Sequence, residues 1–368
     1  MIYFIPLVAL YVGLLMWLLH GWRLAVRSQP QKRVGQQFIS VIIAARNEAN
    51  NLPRLLERLK AQDYPRDRFE IIVVDDHSND GTAEVIAGQA DGSFKLTVRR
   101  LGATDHGKKA ALSLGIAAAA GAIVATTDAD CLVPDQWLSE INDAFADVEV
   151  RMIVGLVALA RNDFFSRWQA MEFAGVVGTG AATLMLGHPT MCNGANLSFR
   201  KAAFETVQGY ADNAHIASGD DEFLMRKIAA RYPGSIRVMA SKSSIVMTDA
   251  CPSLGEFLQQ RLRWAGKWKV NPSVFSKVLA VCIFLFQIGW LGLWITLFQR
   301  TNLRLSLLLL AMKAGADAVF LFPVCRHLGV SFRLVSFVSL QFLYPFYVLG
   351  IGAFSFWKKV TWKGRNLG

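Results

Sequence analysis

Long apolar segments at both ends of the chain constrain its fold more than any other feature of the sequence. Ile2–Leu19 is a run of about 18 residues without a charged side chain, which is long enough for a helix to cross a bilayer. Backbone groups in hydrocarbon must satisfy their own hydrogen bonds, so such segments have to be helical. More apolar segments follow near the C-terminus: Val278–Phe298, Leu305–Val324 and Leu334–Trp357. The sequence therefore predicts a soluble part enclosed between membrane helices.

Composition divides the chain into consecutive parts. They are an N-terminal transmembrane anchor, a soluble domain, an amphipathic helix, transmembrane segments and a basic tail, over residues 1–22, 36–250, 251–275, 276–357 and 358–368. The amphipathic part centres on Leu254–Val270, which is basic and carries Trp264 and Trp268. This composition favours a helix that lies at the membrane surface.

Positive charge beside the first apolar run predicts its orientation. No charged segment precedes the run and no small-residue cleavage site follows it, so a retained anchor is favoured over a secretory signal peptide. Basic residues follow it instead: Arg23, Arg27, Lys32 and Arg33. This flank predicts an N-terminus outside and a cytoplasmic central domain. With three further spans the tail would lie outside, although Lys358, Lys359, Lys363 and Arg365 favour the cytoplasm. Either one segment does not cross or the charge bias is overruled.

Charge and cysteine usage narrow the class of protein. The formal net charge is +11, but no basic stripe interleaved with aromatic residues occurs, so the flanks of membrane segments explain the charge better than nucleic-acid binding. The same flanks favour attraction to anionic lipid headgroups. The five cysteines are scattered without a CxxC pair, which suits free thiols in a reducing cytoplasm and indicates neither zinc nor disulfides.

The soluble part alternates between apolar strands and helical patterns. The predicted strands are Phe38–Ala45, Phe69–Val74, Phe94–Val98 and Ile123–Thr127. The predicted helices between them are Ala49–Leu59, Thr82–Gly88 and Lys108–Ala119. Asp80 is a candidate N-cap for the second helix. The alternation predicts βαβ units and an α/β domain with a mostly parallel sheet flanked by helices. Phe164–Leu186 is also apolar, but Arg167 and Glu172 interrupt it, which favours a buried or interfacial helix over a membrane span.

Two acidic clusters follow predicted strands at the point where each strand ends. Asp75-Asp76 comes after Ile71–Val74, and Asp128-Ala129-Asp130 comes after Ile123–Ala125. Ligands bind at the carboxyl ends of strands in an open α/β sheet. Asp128 and Asp130 are two apart on an extended segment, so both side chains can point the same way and hold one divalent cation against phosphate oxygens. The pattern predicts nucleotide or nucleotide-sugar chemistry at this edge.

Four motifs occur in the order of a known family. They are Val74–Thr82, Asp128-Ala129-Asp130, Gly219-Asp220-Asp221 and Gln260-Arg261-Leu262-Arg263-Trp264. From about Phe38 to Trp264 the chain resembles the family 2 inverting glycosyltransferases, which have the GT-A fold. A single DxD motif is weak, whereas all four at these separations, on a βα scaffold beside membrane segments, are highly specific.

The resemblance implies a nucleotide-sugar donor, expected to be a UDP-hexose, at the ends of the first strands. It places Glu48 beside the base and ribose, although a carboxylate there also suits the start of a helix. It places Asp75 or Asp76 against the base, where the N–H of uracil can donate; capping of the turn is the alternative. Lys108 follows a glycine at the start of a helix, which is a natural phosphate contact, with a solvated lysine as the alternative.

The resemblance also divides the remaining carboxylates into roles. Asp130 is the more direct ligand of Mg²⁺ or Mn²⁺ and Asp128 is a sugar or metal contact, with solvated turn carboxylates as the alternative. Inversion needs one carboxylate that removes the proton of the acceptor hydroxyl. Asp221 is assigned that role, with Asp220 as the N-cap of the following helix. The family more often has Glu-Asp here, so which aspartate acts stays open, and capping by both is the alternative.

The fourth motif adds an arginine and a tryptophan to the expected site. Arg263 resembles an arginine that pairs with diphosphate oxygens, and Trp264 resembles a ring that stacks beside the acceptor, with Gln260 in the same set. The alternative is an amphipathic helix whose arginines meet lipid headgroups. His188 and Asn193–Asn196 are expected to form an acceptor-side loop, although a histidine there can be purely structural.

Within the family, the short length and the few polar residues in about four spans favour lipid glycosyltransferases similar to the ceramide glucosyltransferases. The predicted function is transfer of one hexose to a lipid hydroxyl. A processive polysaccharide synthase is the second hypothesis. It is less favoured because polymer secretion requires a polar path through the bilayer, and the spans have few polar residues. A non-catalytic, membrane-tethered binding module is the third, and the intact motifs disfavour it.

Lys313 and Asp317, four apart in a membrane segment, are predicted to pair with each other while facing other helices. The oligomeric state stays open.

Overall fold

The computed structural model describes residues 3–28, 35–89, 92, 94–160, 163–211, 219–266, 273–300, 302–355, 360–362 and 365–367. Several residues on which the predicted orientation and the predicted amphipathic helix depend lie outside these ranges: Lys32, Arg33, Trp268, Lys358, Lys359 and Lys363. The chain divides into two compact units. We call Leu24–Leu159 with Leu184–Asp249 the sheet unit, and Met1–Arg23 with Ala160–Thr183 and Ala250–Gly368 the helical unit.

The elements follow one another in chain order. The helices are α1 Phe4–Arg27, α2 Leu52–Lys60, α3 Thr82–Gly88, α4 Lys108–Ala118, α5 Trp137–Ala144, α6 Phe164–Met185, α7 Lys201–Thr206, α8 Asp220–Arg231, α9 Leu254–Gly266, α10 Val274–Phe298, α11 Leu303–His327 and α12 Leu334–Phe354. The strands are β1 Ile39–Ala45, β2 Phe69–Asp75, β3 Lys95–Arg100, β4 Ile123–Asp128, β5 Cys131–Leu132, β6 Met152–Gly155, β7 Val157–Leu159, β8 Leu197–Arg200, β9 Ile236–Met239, β10 Val246–Thr248, β11 Val360–Trp362 and β12 Arg365–Leu367.

A seven-stranded mixed sheet forms the sheet unit, in the order β3-β2-β1-β4-β8-β6-β9. β1 pairs in parallel with β2 and β4, and β2 pairs in parallel with β3, which confirms the predicted βαβ half. β8 is antiparallel to both β4 and β6, and β9 is parallel to β6. A smaller sheet has the order β5-β10-β7. The antiparallel insertion of β8 was not predicted, because a strand of four residues carries almost no periodic signal.

The central strands are covered by closely packed helices. β2 is buried along its whole length, and six of the seven residues of β1 are buried, as expected for parallel strands with helices on both faces. α4 lies against β1 through Gly115, where an added Cβ would be only 2.5 Å from Ile42 Cγ2. A glycine at this position therefore allows the helix that begins with Lys108 to approach the sheet.

In two helices a glycine, and not the predicted aspartate, takes the N-cap position. Gly81 precedes α3 with φ 85° and Gly219 precedes α8 with φ 83°. Glycine adopts this left-handed conformation without steric cost. The predicted N-cap roles are therefore wrong for both aspartates. Asp80 instead accepts from the Thr82 N–H at 3.1 Å, and Asp220 is the first residue of α8.

Among the described residues, the helical unit has four helices that are long and apolar enough to cross a membrane: α1, α10, α11 and α12. The protein is therefore a membrane protein. α6 has 22 residues and is not among these candidates, which agrees with the prediction of a buried or interfacial helix. α9 covers the predicted amphipathic segment as far as Gly266, and the remainder lies outside the described ranges.

A polar network lies among the apolar side chains of the candidate spans. Lys313 Nζ and Asp317 Oδ2 of α11 are 2.8 Å apart, which confirms the predicted pair. Gln341 of α12 accepts from Lys313 at 2.8 Å and donates to Asp317 at 2.9 Å. The Tyr11 hydroxyl of α1 donates to the other Asp317 oxygen at 2.6 Å. Each charge is thus compensated, so the network links three helices instead of leaving isolated charges.

Candidate active site

The two acidic clusters lie side by side at one edge of the main sheet. Strand register pairs Ala45 at the end of β1 with Asp75 of β2, and Ala44 with Asp128 of β4. Parallel pairing brings the carboxyl ends of all three strands to this edge. The predicted location of both clusters is confirmed, and their individual contacts separate their roles.

Asp75 is a buried carboxylate with structural partners on both oxygens. Oδ1 accepts from the Ser78 N–H at 3.0 Å, and Oδ2 accepts from Arg100 Nε at 3.1 Å. The side chain is 1% exposed. These contacts hold the turn after β2 and tie it to β3. Of the two aspartates predicted to contact the nucleobase, Asp75 is therefore the weaker candidate.

Asp76 connects the turn after β2 to the start of α4. Its Oδ2 accepts from the Gly107 N–H at 3.0 Å, and its Oδ1 lies 3.1 Å from His77 Nδ1. Arg46 Nη1 donates to the Asp76 carbonyl at 3.0 Å and lies 3.9 Å from Oδ1. Because Gly107 precedes Lys108, Asp76 also helps to position that lysine. Arg46 and Gly107 were not singled out as partners of Asp76 by the sequence argument.

Lys108 is a cation held among carboxylates. Its Nζ donates to Asp128 Oδ1 at 2.5 Å and lies 3.7 Å from Asp220 Oδ2. Burial by itself would lower the pKa of Lys108, but Asp128 and Asp220 outweigh it and raise the pKa, so the ammonium stays charged. The alternative of a purely solvated lysine is therefore disfavoured. Lys109 is also buried, with its Nζ 5.3 Å from the centre of the Phe223 ring.

Asp128 and Asp130 form the centre of a candidate metal site. Potential ligand atoms of Asp128, Asp130 and Cys131 all lie within 4.8 Å of one another. Burial, reinforced by both aspartates, raises the pKa of the Cys131 thiol, which disfavours its thiolate form. Asp128 and Asp130 offer the hard oxygen donors that Mg²⁺ and Mn²⁺ prefer, and Asp130 is exposed. The residues fit the expected cation.

Asp221 reaches the same region through the backbone of Gly194. The Gly194 N–H donates to Asp221 Oδ2 at 3.1 Å, and Thr126 Oγ1 donates to the Gly194 carbonyl at 2.8 Å. A Cβ on Gly194 would be 3.4 Å from Asp220 Oδ2 and 3.5 Å from Lys108 Nζ. Gly194 therefore joins the strand carrying Asp128 to the start of α8.

The structure thus brings Lys108, Asp128, Asp220 and Asp221 to one place, with Gly194 between them. We call this group the central cluster. Gly194 belongs to the loop predicted to face the acceptor, but its contact with Asp221 had no sequence signal. In the same loop, Asn196 is fully buried: it accepts from Trp137 and donates to the carbonyls of Leu156 and Ser244. Asn196 therefore has a structural role, and His188 is exposed.

Glu48 lies just before α2, with hydrogen bonds to the first residue of α3 and to the N-cap residue of α2. Its backbone N–H donates to Thr82 Oγ1 at 2.9 Å, and its Oε2 accepts from Asn51 Nδ2 at 2.8 Å. The carboxylate is largely buried. These contacts favour the helix-start interpretation, and the nucleoside contact of Glu48 stays a prediction.

The fourth motif belongs to the helical unit. Its first arginine, Arg261, makes contacts with several side chains. Arg261 is buried and pairs with Glu172 of α6 at 2.5 Å, and its Nη1 donates to Gln260 Oε1 at 2.5 Å. Its guanidinium carbon lies 4.2 Å from the centre of the Trp264 ring. Burial alone would lower the pKa of Arg261, but Glu172 outweighs it and raises the pKa. Arg263 is partly exposed.

The pairing of Arg261 with Glu172 was not predicted from the sequence. Glu172 interrupts an apolar helix, and a buried carboxylate requires a cationic or hydrogen-bonding partner. That signal indicated that a partner exists, without indicating which of the many arginines it is. The predicted binding roles of Gln260, Arg263 and Trp264 stay predictions.

Comparison with known proteins supports one family. A family model described as Glycosyl transferase family 2 matches residues 40–208. Glycosyltransferase AglE of Haloferax volcanii is 27% identical over 267 residues, which are 70% of this chain and 80% of that protein. A beta-monoglucosyldiacylglycerol synthase of Trichormus variabilis is 30% identical over 140 residues, which are 37% of this chain and 30% of the relative's own length.

A solved structure supports the fold over nearly the full length. The mannosyltransferase PcManGT of Pyrobaculum calidifontis, in complex with GDP-Man and Mn²⁺, superposes with a TM-score of 0.62. The match covers 96% of this chain and 97% of that protein at 21% sequence identity. Together with the sheet order, these findings show a glycosyltransferase family 2 domain at residues 40–208 and a GT-A fold, in a membrane protein with candidate transmembrane helices.

Proposed function

We propose that the protein transfers one hexose from a nucleotide-diphosphate sugar, expected to be UDP-linked, to a lipid hydroxyl with inversion. The observation that carries this proposal is the central cluster. It joins a charged lysine, the metal-site carboxylate Asp128 and the candidate base Asp221 at the carboxyl edge of the sheet. A phosphate-binding cation and a separate carboxylate base are what a single displacement at a sugar carbon requires.

Asp221 is the proposed general base. It takes the proton of the acceptor hydroxyl while that oxygen attacks the sugar carbon and the bond to the diphosphate breaks. One attack from the face opposite the leaving group inverts the configuration. The Gly194 N–H orients the Asp221 carboxylate through Oδ2. Asp220 is the less favoured base, because it is buried and lies 3.7 Å from Lys108.

Lys108 and the two aspartates of the DxD motif are proposed to serve the leaving group. Lys108 begins α4, so both its ammonium and the helix N-terminus favour phosphate oxygens. Asp128 and Asp130 would hold the divalent cation, which when bound offsets negative charge on the departing diphosphate. Asp76 is proposed to accept a hydrogen bond from the nucleobase, with Glu48 near the ribose. Gln260, Arg263 and Trp264 are proposed to complete the donor and acceptor contacts.

The lipid acceptor is supported by the membrane helices and by one relative. The relative from Trichormus variabilis is named as a synthase of a glucosylated diacylglycerol. In the described spans, the charged pair Lys313–Asp317 is satisfied by its own hydrogen bonds, which supports a role in helix packing over a role in a polymer path. The sheet unit is proposed to face the cytoplasm, where nucleotide sugars are made.

The test is incubation of membranes containing the full-length protein with radiolabelled UDP- and GDP-hexoses, followed by lipid extraction and mass spectrometry. A glycolipid with one added hexose is expected, with the signal lost in EDTA and restored by Mn²⁺ or Mg²⁺. A long polymer would establish the processive synthase instead. No turnover of any nucleotide sugar, in membranes where the protein is folded, would contradict the proposal.

A further inference from the structure

A second group of side chains that could bind a metal lies at the same edge of the sheet as the DxD motif. This group contains two histidines, whereas the DxD motif offers carboxylates. Potential ligand atoms of Asp76, His77 and His106 all lie within 4.8 Å of one another. The two imidazole ring centres are 4.8 Å apart and the rings are inclined by 52°. Nothing in the proposed transfer reaction uses either histidine.

The backbone holds both histidine-bearing segments in place. His77 has φ 57°, in the left-handed region that is strained for a non-glycine residue and persists only where the surroundings impose it. Asp76 donates its N–H to the Ala45 carbonyl at 2.8 Å and accepts from the Gly107 N–H at 3.0 Å. Because His106 directly precedes Gly107, Asp76 joins the segment carrying His106 to the one carrying His77.

The ligand set indicates the class of metal. Imidazole nitrogens with one carboxylate suit Zn²⁺ and its neighbours, whereas Mg²⁺ and Mn²⁺ favour oxygen donors. Tetrahedral zinc with bonds of about 2.0–2.1 Å needs ligand atoms roughly 3.3 Å apart. His77 Nδ1 and Asp76 Oδ1 are already 3.1 Å apart. His106 is exposed, so its side chain can rotate to close the remaining distance.

The second oxygen of Asp76 supports the same assignment. A ligating carboxylate is usually oriented by a hydrogen bond to its other oxygen, and the Gly107 N–H supplies one. Arg46 Nη1, 3.9 Å from Oδ1, is the nearby positive charge that limits the affinity. We propose that Asp76, His77 and His106 form a zinc site with a fourth position open to solvent.

Occupation of this site has a consequence for the enzyme. Asp76 is the carboxylate proposed to contact the nucleobase, so zinc on Asp76 competes with the nucleotide-sugar donor. This consequence rests on the proposed function, whereas zinc binding itself does not. The site would make the transferase sensitive to inhibition by free Zn²⁺ while leaving it dependent on Mg²⁺ or Mn²⁺.

The binding test uses full-length protein in detergent with any purification tag removed. Titration with Zn²⁺ by calorimetry, and with Co²⁺ by its d–d absorption, is expected to show one site. His106→Ala and His77→Asn, the second chosen because asparagine tolerates the left-handed backbone, should each weaken binding at least about tenfold. His188→Ala, which removes another exposed histidine, should bind as the unchanged protein.

Two results would overturn the proposal. Unchanged Zn²⁺ affinity in both His106→Ala and His77→Asn, with each variant folded by thermal unfolding, rules out the site. Loss of Zn²⁺ binding in Asp130→Asn but not in the histidine variants assigns zinc to the DxD motif instead. Competition is tested by measuring donor affinity with and without Zn²⁺; independence of the two overturns the inhibitory role. Failure of the proposed function would show separately, as absence of turnover without zinc.

Discussion

Lys108 determines the electrostatics of the candidate site at the scale of single residues. It is 24% exposed and contacts Asp128 and Asp220 from two different elements. The raised pKa keeps it positively charged throughout the working pH range, so its charge does not depend on a bound ligand. Asp221, held by the Gly194 N–H, lies next to this pair and retains the geometry of a proton acceptor.

Asp221→Asn should abolish transfer without removing donor binding. Asparagine keeps an oxygen that can accept from Gly194, but it cannot take a proton from the acceptor hydroxyl. We expect the rate to fall by about 10²–10⁴-fold, the usual contribution of a general base. Initial rates of nucleotide release and calorimetry with the nucleotide sugar measure the two effects.

Asp67→Asn is the matched control, because Asp67 lies on the surface with its side chain 80% exposed. It should leave both rate and donor affinity unchanged. If Asp221→Asn retains full activity while Asp220→Asn loses it, the base assignment moves to Asp220.

Glu70→Gln should lower stability at neutral pH and less so in acid. Burial alone would raise the pKa of Glu70, but Lys95 and the hydrogen bonds from Ala120 and Ser40 outweigh it and lower the pKa from 4.5. A carboxylate with a lowered pKa stabilises the fold above pH 4.5, and this contribution is lost as the pH falls through its folded-state value.

We expect Glu70→Gln to cost about 1–3 kcal/mol at pH 7, with the difference shrinking below pH 4.5. Thermal unfolding of the full-length protein between neutral and acidic pH measures it. Glu149→Gln, at an exposed carboxylate, should follow the unchanged protein at every pH. A pH-independent difference at Glu70 would contradict the charged hydrogen-bond network.

At the scale of elements, close packing between helices and strands decides where the functional residues lie. α4 carries Lys108 at its first residue and lies on β1 because Gly115 has no side chain. In the helical unit, Arg261 of α9 and Glu172 of α6 form a buried pair that also holds Gln260 and Trp264. Both arrangements depend on a contact that neither element encodes by itself.

Gly115→Ala should destabilise the protein, although alanine is the better helix former. The new methyl group would lie 2.5 Å from Ile42 Cγ2, and overpacking of this kind costs about 1–3 kcal/mol. Gly88→Ala in α3 is the control, because no atom lies within 4 Å of the added group. It should be neutral or stabilising by up to about 1 kcal/mol. Equal unfolding midpoints for the two variants would contradict the packing of α4 on β1.

Glu172→Gln should destabilise the protein by about 3–5 kcal/mol, because it leaves Arg261 buried without its charge partner. Replacing both residues by methionine removes the unpaired charge and should restore the unfolding midpoint. The double variant is nevertheless expected to transfer sugar at least about tenfold more slowly, because Gln260 and Trp264 lose the guanidinium that orients them. Full recovery of activity would show that the pair is only structural.

At the scale of the whole molecule, the membrane helices determine which side of the bilayer each segment faces. The described residues contain four candidate spans, and if all four cross, the segments before the first and after the last lie on the same side. Arg23 and Arg27 lie in the last two turns of the first candidate span, which favours the proposed cytoplasmic sheet unit and an outer N-terminus.

An epitope inserted after Gly234, in the turn between α8 and β9, should be accessible in inside-out vesicles and protected in intact cells. A C-terminal alkaline phosphatase fusion should be active, and a C-terminal green fluorescent protein fusion dark, because the tail is expected outside. The opposite pattern at the C-terminus, with Gly234 still internal, would mean that one candidate span does not cross.

Much of the architecture was predictable because it depends on local sequence. β1, β2 and β4 are mostly apolar, and Asp75 and Asp128 are the last residues of β2 and β4. α2 begins at Leu52, later than predicted, with Asn51 at its N-cap and Pro53 in the first turn. Boundaries of this kind depend on backbone hydrogen bonds that periodicity does not reveal.

The sequence by itself determined the membrane helices, the parallel half of the sheet and the location of the acidic clusters, because hydrophobicity and strand-end position are local properties. Only the tertiary structure decided the contacts of those acids. Lys108 and Asp128 are 20 residues apart, Gly194 and Asp221 are 27 apart, and Arg261 and Glu172 are 89 apart. Which of several chemically equivalent arginines or aspartates meets a given partner depends on how distant segments pack. The same physical reason explains β8, whose antiparallel position between β4 and β6 is set by pairing with strands far along the chain.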